Sequence, residues 1–450
     1  MDNIFITLLS FVFTIGLLVA IHEFGHFWVA RKLDVKVLRF SIGFGKPLYR
    51  FRGKKDNTEF VLASIPLGGY VKMLDAREGE VAQQESHREF NQKSVYARFA
   101  IVFAGPFVNF IFAVFAFWLM FVVGIQGVIP LMGQLDSESI AWQSGLRSGD
   151  KIISVDGNAT PTLNSVYEEL LGAFIERRTA QVNLSDQRQL IFRLDKVDKD
   201  VDPAQFQKVI GLSLKFPHEK VIIGEVSENS AAFSAGIKAG DQVLAIEDRE
   251  INHWRDLVRE VINKPGKKIN IKLIRNEKVT IVSVIIGKFK QGSETIGRIG
   301  VRPESVTPLP ESMFTQQQYG FFAAIPKGIE KTWDLSVLTI TMLGKIVIGE
   351  ASIKNISGPI TIAEVAGKSA KMGWESFLRF LAIVSLSLGV INLLPIPMLD
   401  GGHLLFYLIE MVKGSPVSEM VQEVGIKIGI SLLVLLMSLA LYNDFVRLFI

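Results

Sequence analysis

The stretch at residues 4–26, IFITLLSFVFTIGLLVAIHEFGH, decides how this chain folds. Eighteen uncharged residues, 4–21, lead into the motif HEFGH. A helix of this length can cross the roughly 30 Å of hydrocarbon in a bilayer. The preceding MDN lacks the Lys or Arg of a signal peptide, and no small-residue cleavage site follows the apolar run. We therefore predict a membrane span that is retained.

The motif HEFGH places two imidazoles one helical turn apart. His22 and His26 would share a helix face and could bind one metal ion. Glu23, one step round the helix, could polarise a metal-bound water as a general base. A chance HExxH is the alternative, but charge inside a bilayer is costly and must be offset, so this cluster predicts a functional site.

The composition predicts membrane helices combined with sizeable soluble domains. Of the 450 residues, 49% are hydrophobic and 21% are charged, which is too apolar for an ordinary soluble protein and too charged for a pure helix bundle. Cysteine is absent, so a metal would have to be bound by His, Asp or Glu. The net charge of +4 is small, and no basic stripe with interleaved aromatic residues predicts nucleic-acid binding.

Four stretches are predicted to span the membrane: residues 4–30, 99–124, 377–397 and 426–447. No Lys or Arg precedes His22, whereas four basic residues crowd the other end of that span and three more precede the second span: Arg31, Lys32, Lys36, Arg39, Arg88, Lys93 and Arg98. The positive-inside rule therefore places residues 31–98 in the cytoplasm and both chain termini, with the region after residue 125, outside.

The outer region, about 126–308, contains an internal repeat. AWQSGLRSGDKIISVDG begins at Ala141 and AFSAGIKAGDQVLAIED begins at Ala232, an offset of 91 residues. The turn residues match in pairs: Gly145 with Gly236, Gly149 with Gly240, and Asp150 with Asp241. A small-residue turn, a GD turn and an alternating strand recur, so we predict two copies of one domain. The pattern resembles bacterial PDZ domains, which bind extended chain ends by strand addition; steric spacers are the alternative.

Within residues 314–349, the apolar run from Leu335 to Gly349 is predicted to form an amphipathic helix lying on the membrane surface. This run is short and carries Lys345, which is unfavourable for a span. If this segment did cross, the next span would carry Asp400 to the outer face, far from His22. An interfacial helix instead leaves Asp400 at the inner end of its span, level with HEFGH.

A third metal ligand is predicted at Asp400, because a catalytic zinc needs three protein ligands and one open position. Twenty uncharged residues, 380–399, run into this carboxylate within the sequence NLLPIPMLDGG. Pro395 and Pro397 cannot continue a regular helix, and a broken helix at membrane depth is tolerated where it lines a cavity. The break would also free backbone groups that could polarise a substrate carbonyl.

The roles of Asp400 and of the nearby His403 each have to be distinguished from an alternative. Asp400 could instead cap a helix that starts near Gly401, and capping does not exclude metal binding. His403 is predicted to be a neighbour rather than a ligand, since a fourth protein ligand would close the site.

HExxH in the first span, LDG at the end of a later span and PDZ copies between them resemble the intramembrane site-2 metalloproteases. The resemblance covers essentially the whole chain, without departure in the core motifs. It implies that His22, His26 and Asp400 bind Zn²⁺, that Glu23 activates water and that Asn392 holds or polarises the scissile peptide. It further implies a multi-pass protein of the bacterial inner membrane, with its active site near the cytoplasmic side and its PDZ domains in the periplasm.

The predicted architecture is a polytopic α-helical membrane protein with four transmembrane helices, a cytoplasmic-side β-hairpin and two tandem extracytoplasmic PDZ domains of α+β type. The predicted segments are the first span (1–32), hairpin region (33–97), second span (98–125), two PDZ domains (126–222 and 223–308), interfacial region (309–374), third span (375–399), cytoplasmic segment (400–425) and fourth span (426–450).

The hairpin region offers a means of holding an unwound substrate. Val37–Phe51 and Phe60–Met73 are predicted strands around a polar turn at 53–57, and four glycines would allow bends and close backbone approach: Gly43, Gly45, Gly68 and Gly69. A substrate helix must unwind before cleavage, and each freed backbone group in hydrocarbon costs several kcal/mol unless paired, which a strand edge could provide. The stretch resembles the family's membrane-associated hairpin, which implies a substrate clamp; a plain cytoplasmic hairpin is the alternative.

Two further residues are predicted to contact substrate. Asn109 belongs to a second family-like motif, AGPFVNF at 104–110, and faces the active-site cavity unless it makes only an interhelical hydrogen bond. Pro397 lies in the broken segment just before Asp400.

The preferred function is a zinc endopeptidase that cuts single-span membrane proteins in or near the bilayer. The resemblance implies that its substrates include an anti-sigma factor of the envelope stress response, already shortened by a first extracytoplasmic cleavage, and remnant signal peptides. The PDZ pair would then act as a size-exclusion gate. The alternatives are an inactive membrane-anchored PDZ scaffold, which would not need an intramembrane Glu and Asp, and a metal transporter, for which the chain has too few spans with repeated topology.

Overall fold

The protein is described by a computed structural model covering residues 2–77, 79, 81–197, 206–215, 219–291, 294–304, 309–350, 353 and 356–449. The chain forms two compact units. Met1–Ile125 and Gln317–Phe445 make up the first unit, and Gln126–Gln316 lie in the second. The predicted end of the second repeat, at residue 308, lies outside the described residues.

The chain begins with two long helices separated by a hairpin: α1 (Asp2–Lys32), β1 (Val37–Arg52), β2 (Glu59–Met73) and α2 (Val95–Val123). The two strands agree with the predicted ones to within one residue at each end. Helices α1 and α2 approach closely at Gly25, where a Cβ atom would lie 2.7 Å from the carbonyl carbon of Ala104. A glycine at this position therefore lets the two backbones come together.

The hairpin bends back on itself. Residues 39–42 of β1 pair with both 59–62 and 69–72 of β2, and residues 47–52 pair with 59–63. The bends coincide with three glycines of positive φ: Gly43 (92°), Gly45 (88°) and Gly68 (133°). This backbone region is open to glycine and disfavoured for other residues. The prediction that these glycines allow bends is confirmed.

An ion-pair network fixes the hairpin turn beside the end of α1. Arg88 donates to both carboxylate oxygens of Asp56 at 2.9 Å and to Asp34 at 3.0 Å. The hydrogen bonds from Arg88 hold the pKa of the Asp56 carboxyl below its ordinary value. Phe27 of α1 packs edge-on against Phe40 and Phe60 of the hairpin. The hairpin is therefore anchored to the helix that carries HEFGH.

The second unit contains two chain segments of similar order. The first comprises β3 (Ile125–Val128), α3 (Ile140–Gln143), β4 (Ile152–Val155), β5 (Asn158–Ala159), α4 (Leu163–Ile175), β6 (Ala180–Leu184), β7 (Gln189–Phe192) and α5 (Phe206–Ile210). The second comprises β8 (Val221–Val226), α6 (Ala231–Ser234), β9 (Gln242–Ile246), β10 (Arg249–Glu250), α7 (Trp254–Ile262), β11 (Lys268–Arg275), β12 (Lys278–Ile285), β13 (Gly287–Gln291), β14 (Glu294–Arg298), β15 (Val301–Pro303) and β16 (Phe314–Gln317).

The sequence repeat is confirmed as a structural repeat. Helices α3 and α6, strands β5 and β10, and the starts of α4 and α7 are each separated by 91 residues. The strand order β5-β4-β6 in one sheet matches β10-β9-β11 in the other. The aspartates of the two GD turns also act alike, since Asp150 accepts the backbone N–H of Arg147 and Asp241 accepts that of Lys238, both at 2.8 Å.

Asp241, the aspartate of the second GD turn, forms an ion pair with Arg275 in addition to its hydrogen bond with the backbone of Lys238. Burial of Asp241 disfavours its ionised form. The hydrogen bonds from the Arg275 guanidinium and from the backbone N–H of Lys238, with the positive charges of both residues, together outweigh burial and hold the pKa of Asp241 below its ordinary value. The carboxylate therefore stays charged at neutral pH and closes the turn.

Beyond β16, the part of the chain that the structure describes contains five α-helices: α8 (Ala324–Val347), α9 (Pro359–Lys371), α10 (Trp374–Leu393), α11 (Asp400–Lys413) and α12 (Glu419–Phe449). Among the described residues, four helices are long and apolar enough to cross a membrane: Ile4–Lys32, Val95–Val123, Trp374–Leu393 and Glu419–Val446. They correspond to the four predicted spans. The third ends at Leu393 rather than at 397, because Pro395 and Pro397 follow and neither can donate a helical hydrogen bond.

Helix α8 contains most of the apolar run predicted to lie on the membrane surface. Residues Phe314–Gln317 of the same predicted helical region instead form strand β16, because they pair with β3. Helix α8 runs from Ala324 to Val347 and exposes several large apolar side chains, including Ile329, Trp333 and Ile340. It is not one of the four candidate spans among the described residues. Its location at the membrane surface remains a prediction.

Helix α2 occupies the centre of the first unit, in contact with α1, α8, α10 and α11. Small residues allow these approaches; at Gly389 of α10, an added Cβ would lie 3.2 Å from the backbone oxygen of Pro106. Because the HEFGH helix and the helix starting at Asp400 both pack against α2, this central helix brings the two motifs together.

Candidate metal centre

Two histidines and an aspartate from distant parts of the chain meet in the first unit. Nε2 of His22 lies 3.1 Å from Oδ2 of Asp400, and Nε2 of His26 lies 3.5 Å from the same oxygen. The two Nε2 atoms are 3.3 Å apart. One donor atom from each residue lies within 4.8 Å of the other two, and both histidines are buried. The three side chains therefore converge on one point.

Helix geometry accounts for the two histidines. Both belong to α1, one turn apart, and their rings meet edge-on with centroids 4.9 Å apart. Asp400 is the first residue of α11, whose N-cap is Leu399 without a side-chain cap. The capping alternative for Asp400 is therefore not realised.

Residues 394–399, between α10 and α11, are not helical, and close backbone contacts hold them in place. Met398 adopts a φ of 100°, a left-handed conformation that is strained for a residue with a side chain and is found mostly at functional sites. A Cβ on Gly401 would lie 2.5 Å from the carbonyl carbon of Leu393, so the start of α11 packs directly on the end of α10. Backbone packing thus positions Asp400 without help from its own side chain.

Helix α2 holds the second histidine in place. Nδ1 of His26 lies 2.9 Å from the backbone oxygen of Ile101, an acceptor only, so Nδ1 carries the ring proton in the neutral imidazole. Nε2 is then left free to bind a metal. Gly105 lies against the same ring, and a Cβ there would be 2.5 Å from Cε1 of His26.

The carboxylate of Glu23 lies beside the hairpin. Glu23 is 9% exposed, and a Cβ added to Gly69 of β2 would lie 2.9 Å from Cγ of Glu23 and 2.7 Å from the backbone oxygen of Ser41. Strand β2 therefore passes directly against the helix turn that carries the glutamate. The predicted close backbone approach at Gly69 is confirmed.

The residues present fit a zinc ion. The donor set of two imidazoles and one carboxylate is one that zinc accepts, and three protein donors leave the open position of a catalytic site. Oδ2 of Asp400 is buried and has no hydrogen-bond partner among the described residues, although both histidine Nε2 atoms face it. A cation at this point would satisfy the buried oxygen.

The structure also locates the other predicted residues. Asn392 is half-buried in the last turn of α10, and Pro397 is half-buried in the broken segment. Asn109 is fully buried in α2, with its Nδ2 atom 3.1 Å from Nδ1 of His22. His403 is exposed on α11 and does not belong to the cluster of donors.

Two features of α2 that contact His26 were not predicted from the sequence. The carbonyl of Ile101 and the bare backbone of Gly105 both lie against His26. Gly105 was visible in the motif AGPFVNF, but nothing in the sequence indicates which helix it approaches.

Comparison with known proteins identifies full-length relatives. The model of peptidase family M50 matches residues 10–436. Regulator of sigma-E protease RseP of Escherichia coli is 44% identical over 446 residues, covering 98% of each chain. A Vibrio cholerae relative, named as a candidate zinc metalloprotease, is 39% identical over 456 residues and covers all of both chains. Regulator of sigma E protease of Haemophilus influenzae is 40% identical over 443 residues, or 98% of each chain.

A solved PDZ domain of an SdrC-like protein from Listeria innocua also matches. It is 19% identical, covers 20% of this chain and 98% of that domain, and has a TM-score of 0.17. This likeness is too weak to assign a fold to the repeats.

Proposed function

This chain belongs to peptidase family M50, and from that premise we propose that it cuts single-span membrane proteins within or near the bilayer. It is a zinc-dependent metalloprotease of the site-2 type with several membrane-spanning helices. The predicted resemblance to that family is confirmed. The observation that carries the proposal is the meeting of His22, His26 and Asp400 beside the buried Glu23.

The chain's own residues supply the metal ligands and the general base of a hydrolytic site. Nε2 of His22, Nε2 of His26 and the carboxylate of Asp400 would hold the zinc. A bound zinc supplies a Lewis acid that polarises the scissile carbonyl and makes water more acidic. The carboxylate of Glu23 accepts a proton from the attacking water as its oxygen bonds to the carbonyl carbon. Glu23 then delivers that proton to the amide nitrogen as the C–N bond breaks.

The substrate must present an unwound segment to these groups. We assign its pairing to the hairpin, because β2 passes against Glu23 at Gly69 and the hairpin bends at Gly43 and Gly45 of β1 and at Gly68 of β2. A backbone edge there can pair substrate groups that leave their helical hydrogen bonds. Asn392 would hold or polarise the scissile carbonyl, and Pro397 would line the same path.

The proposed substrates are an anti-sigma factor, after a first extracytoplasmic cleavage, and remnant signal peptides. Support comes from the relatives named as regulators of sigma-E. The proposed location is the bacterial inner membrane, with both termini and the repeats in the periplasm and the site near the cytoplasmic side. The distribution of Lys and Arg around the first two spans supports this orientation.

The direct test is cleavage of a model single-span protein by purified enzyme in detergent or vesicles. We expect new termini inside or near the substrate's apolar segment, loss of cleavage after zinc is removed by a chelator, and recovery when zinc is added back. The termini are mapped by mass spectrometry, and bound zinc is measured in parallel. Cleavage that is indifferent to chelation would contradict the proposal, and an inactive scaffold would produce no new termini at all.

The repeats are proposed to be two PDZ domains that together exclude substrates with intact outer domains. Ile129 donates its backbone N–H to Met313 at 2.9 Å, so the chain enters and leaves this unit side by side. Residues 130–312 can therefore be replaced by a short Gly-Ser linker. We expect the shortened enzyme to cut untrimmed substrate at a rate approaching that for trimmed substrate.

Trimmed substrate is the matched control for this deletion, because its cleavage should change little. Rates for both substrates are compared by gel-based quantification in the same vesicles. A shortened enzyme that still rejects untrimmed substrate while cutting the trimmed form would rule out the gate.

A further inference from the structure

The buried amide of Asn109 contacts a predicted metal ligand and has no role in the hydrolytic steps described above. It lies on α2 with no exposed surface, and its Nδ2 atom is 3.1 Å from Nδ1 of His22. Its Oδ1 atom is buried and has no hydrogen-bond partner among the described residues. An unpaired buried amide oxygen costs about 1–3 kcal/mol, so this orphaned atom requires an explanation.

The two histidines differ in what faces their second ring nitrogen. His26 faces the backbone oxygen of Ile101, which can only accept and therefore fixes the proton on Nδ1. His22 faces an amide, which can present either a donor or an acceptor. If Nε2 of His22 binds a metal, its neutral imidazole carries the proton on Nδ1 and requires an acceptor there. A half-turn of the amide about χ2 brings Oδ1 to this position.

We propose that Asn109 is a positioning residue whose Oδ1 accepts the Nδ1–H of His22 and so orients the ring for metal binding. The proposal rests on the ligand set put forward under the proposed function. The half-turn pairs Oδ1 with the Nδ1–H of His22 and moves the amide NH2 to the position that Oδ1 leaves. It makes the two histidines equivalent, because each then donates its Nδ1 proton to a group on α2. In this proposal the side chain of Asn109 contacts the imidazole of His22 rather than substrate, which agrees with the interhelical hydrogen bond that was the alternative prediction.

The position of the amide is fixed by its own backbone. The hydroxyl of Ser385 on α10 donates to the backbone oxygen of Asn109 at 3.0 Å, which ties this turn of α2 to the third apolar helix. Ser385 is fully buried and contacts the backbone of Asn109 rather than the imidazole. It therefore offers a control that perturbs the same turn without touching the ligand.

The test measures zinc affinity of the full-length protein by competition with a chromogenic chelator in detergent. Asn109→Leu keeps the branched shape of the side chain but removes the acceptor, and we expect it to weaken zinc binding by about 10–100-fold, the usual effect of losing such a partner. Asn109→Asp keeps an acceptor and should retain affinity within a few-fold of the parent. Ser385→Ala should also stay close to the parent value.

Cleavage should follow zinc occupancy. The rate of Asn109→Leu, lost at limiting zinc, should recover when zinc is added in excess. Unchanged zinc affinity in Asn109→Leu would overturn the proposal, and a raised KM in that case would identify Asn109 as a substrate contact. Equal losses of affinity in the Leu and Asp variants would also overturn it, since packing alone would then explain both.

One further variant separates this proposal from the ligand set on which it depends. His22→Ala should lose zinc almost completely. If His22→Ala binds zinc like the parent, the ligand set itself is wrong. If His22→Ala loses zinc and Asn109→Leu does not, only the role of Asn109 fails.

Discussion

Replacing Glu23 by glutamine is expected to reduce the cleavage rate by about 10²–10⁴-fold, the range that a general base contributes, while bound zinc stays unchanged. Glutamine matches the size of glutamate, so the packing against Gly69 and the burial of the side chain are preserved. It cannot accept a proton from water, however, and so cannot pass one to the amide nitrogen. The rate is measured on a single-span substrate and the zinc content by elemental analysis.

A matched control for this variant is Glu423→Gln on α12. Its side chain is 70% exposed and forms an ion pair with Lys427 one turn away, so the change should leave both rate and zinc content within error. Cleavage by Glu23→Gln at the parental rate would exclude Glu23 as the base. Loss of zinc together with activity would instead assign this carboxylate to the metal's binding site.

Substituting Gly105 by alanine is expected to lower both zinc affinity and cleavage, the latter by at least about 10²-fold, because displacing a reacting group by about 1 Å costs this much. The added Cβ would lie 2.5 Å from Cε1 of His26, inside any allowed contact distance. The ring cannot turn away cheaply, since Nδ1 is held by the backbone oxygen of Ile101. Zinc affinity, cleavage rate and thermal unfolding are measured together.

Gly16→Ala is the control for this substitution. Gly16 belongs to the same helix as His26, and a Cβ there meets nothing within 4 Å. Alanine favours helix by about 0.5–1 kcal/mol relative to glycine, so the control should be neutral or slightly stabilising. A Gly105→Ala enzyme with parental zinc affinity and rate would show that the ring has room to move and that this close approach does not matter. If Gly105→Ala unfolds at the assay temperature, its zinc affinity is measured at low temperature instead, with weakened binding expected.

Several features were predicted correctly from residues that lie near one another in the sequence. Hydropathy located four apolar helices, and alternation located β1 and β2. The 91-residue offset predicted two segments with matching helices, strands and GD turns. These patterns succeed because helix and strand formation depend on short-range periodicity and on which side chains water or lipid will accept.

Other features were predicted only approximately from the sequence, or were left open by it. It located the two prolines that end α10 near Leu393 but placed the end of the span four residues late, since hydropathy does not register a lost hydrogen-bond donor. It offered both capping and metal binding for Asp400, and only the N-terminal geometry of α11 excluded the cap. It identified Asn109 as part of a motif, but the neighbour of its amide was unknown until the helices were packed.

Local patterns in the sequence were enough to predict four apolar helices with HEFGH on the first, an LDG motif after the third, a bent hairpin and a duplicated insert. The packing of the helices was needed to learn that Oδ2 of Asp400 lies 3.1 Å from Nε2 of His22, that Ile101 and Gly105 fix the ring of His26, and that β2 passes against Glu23. Such distances depend on how closely backbones approach, which is set jointly by the small and large side chains of all the helices packed around α2.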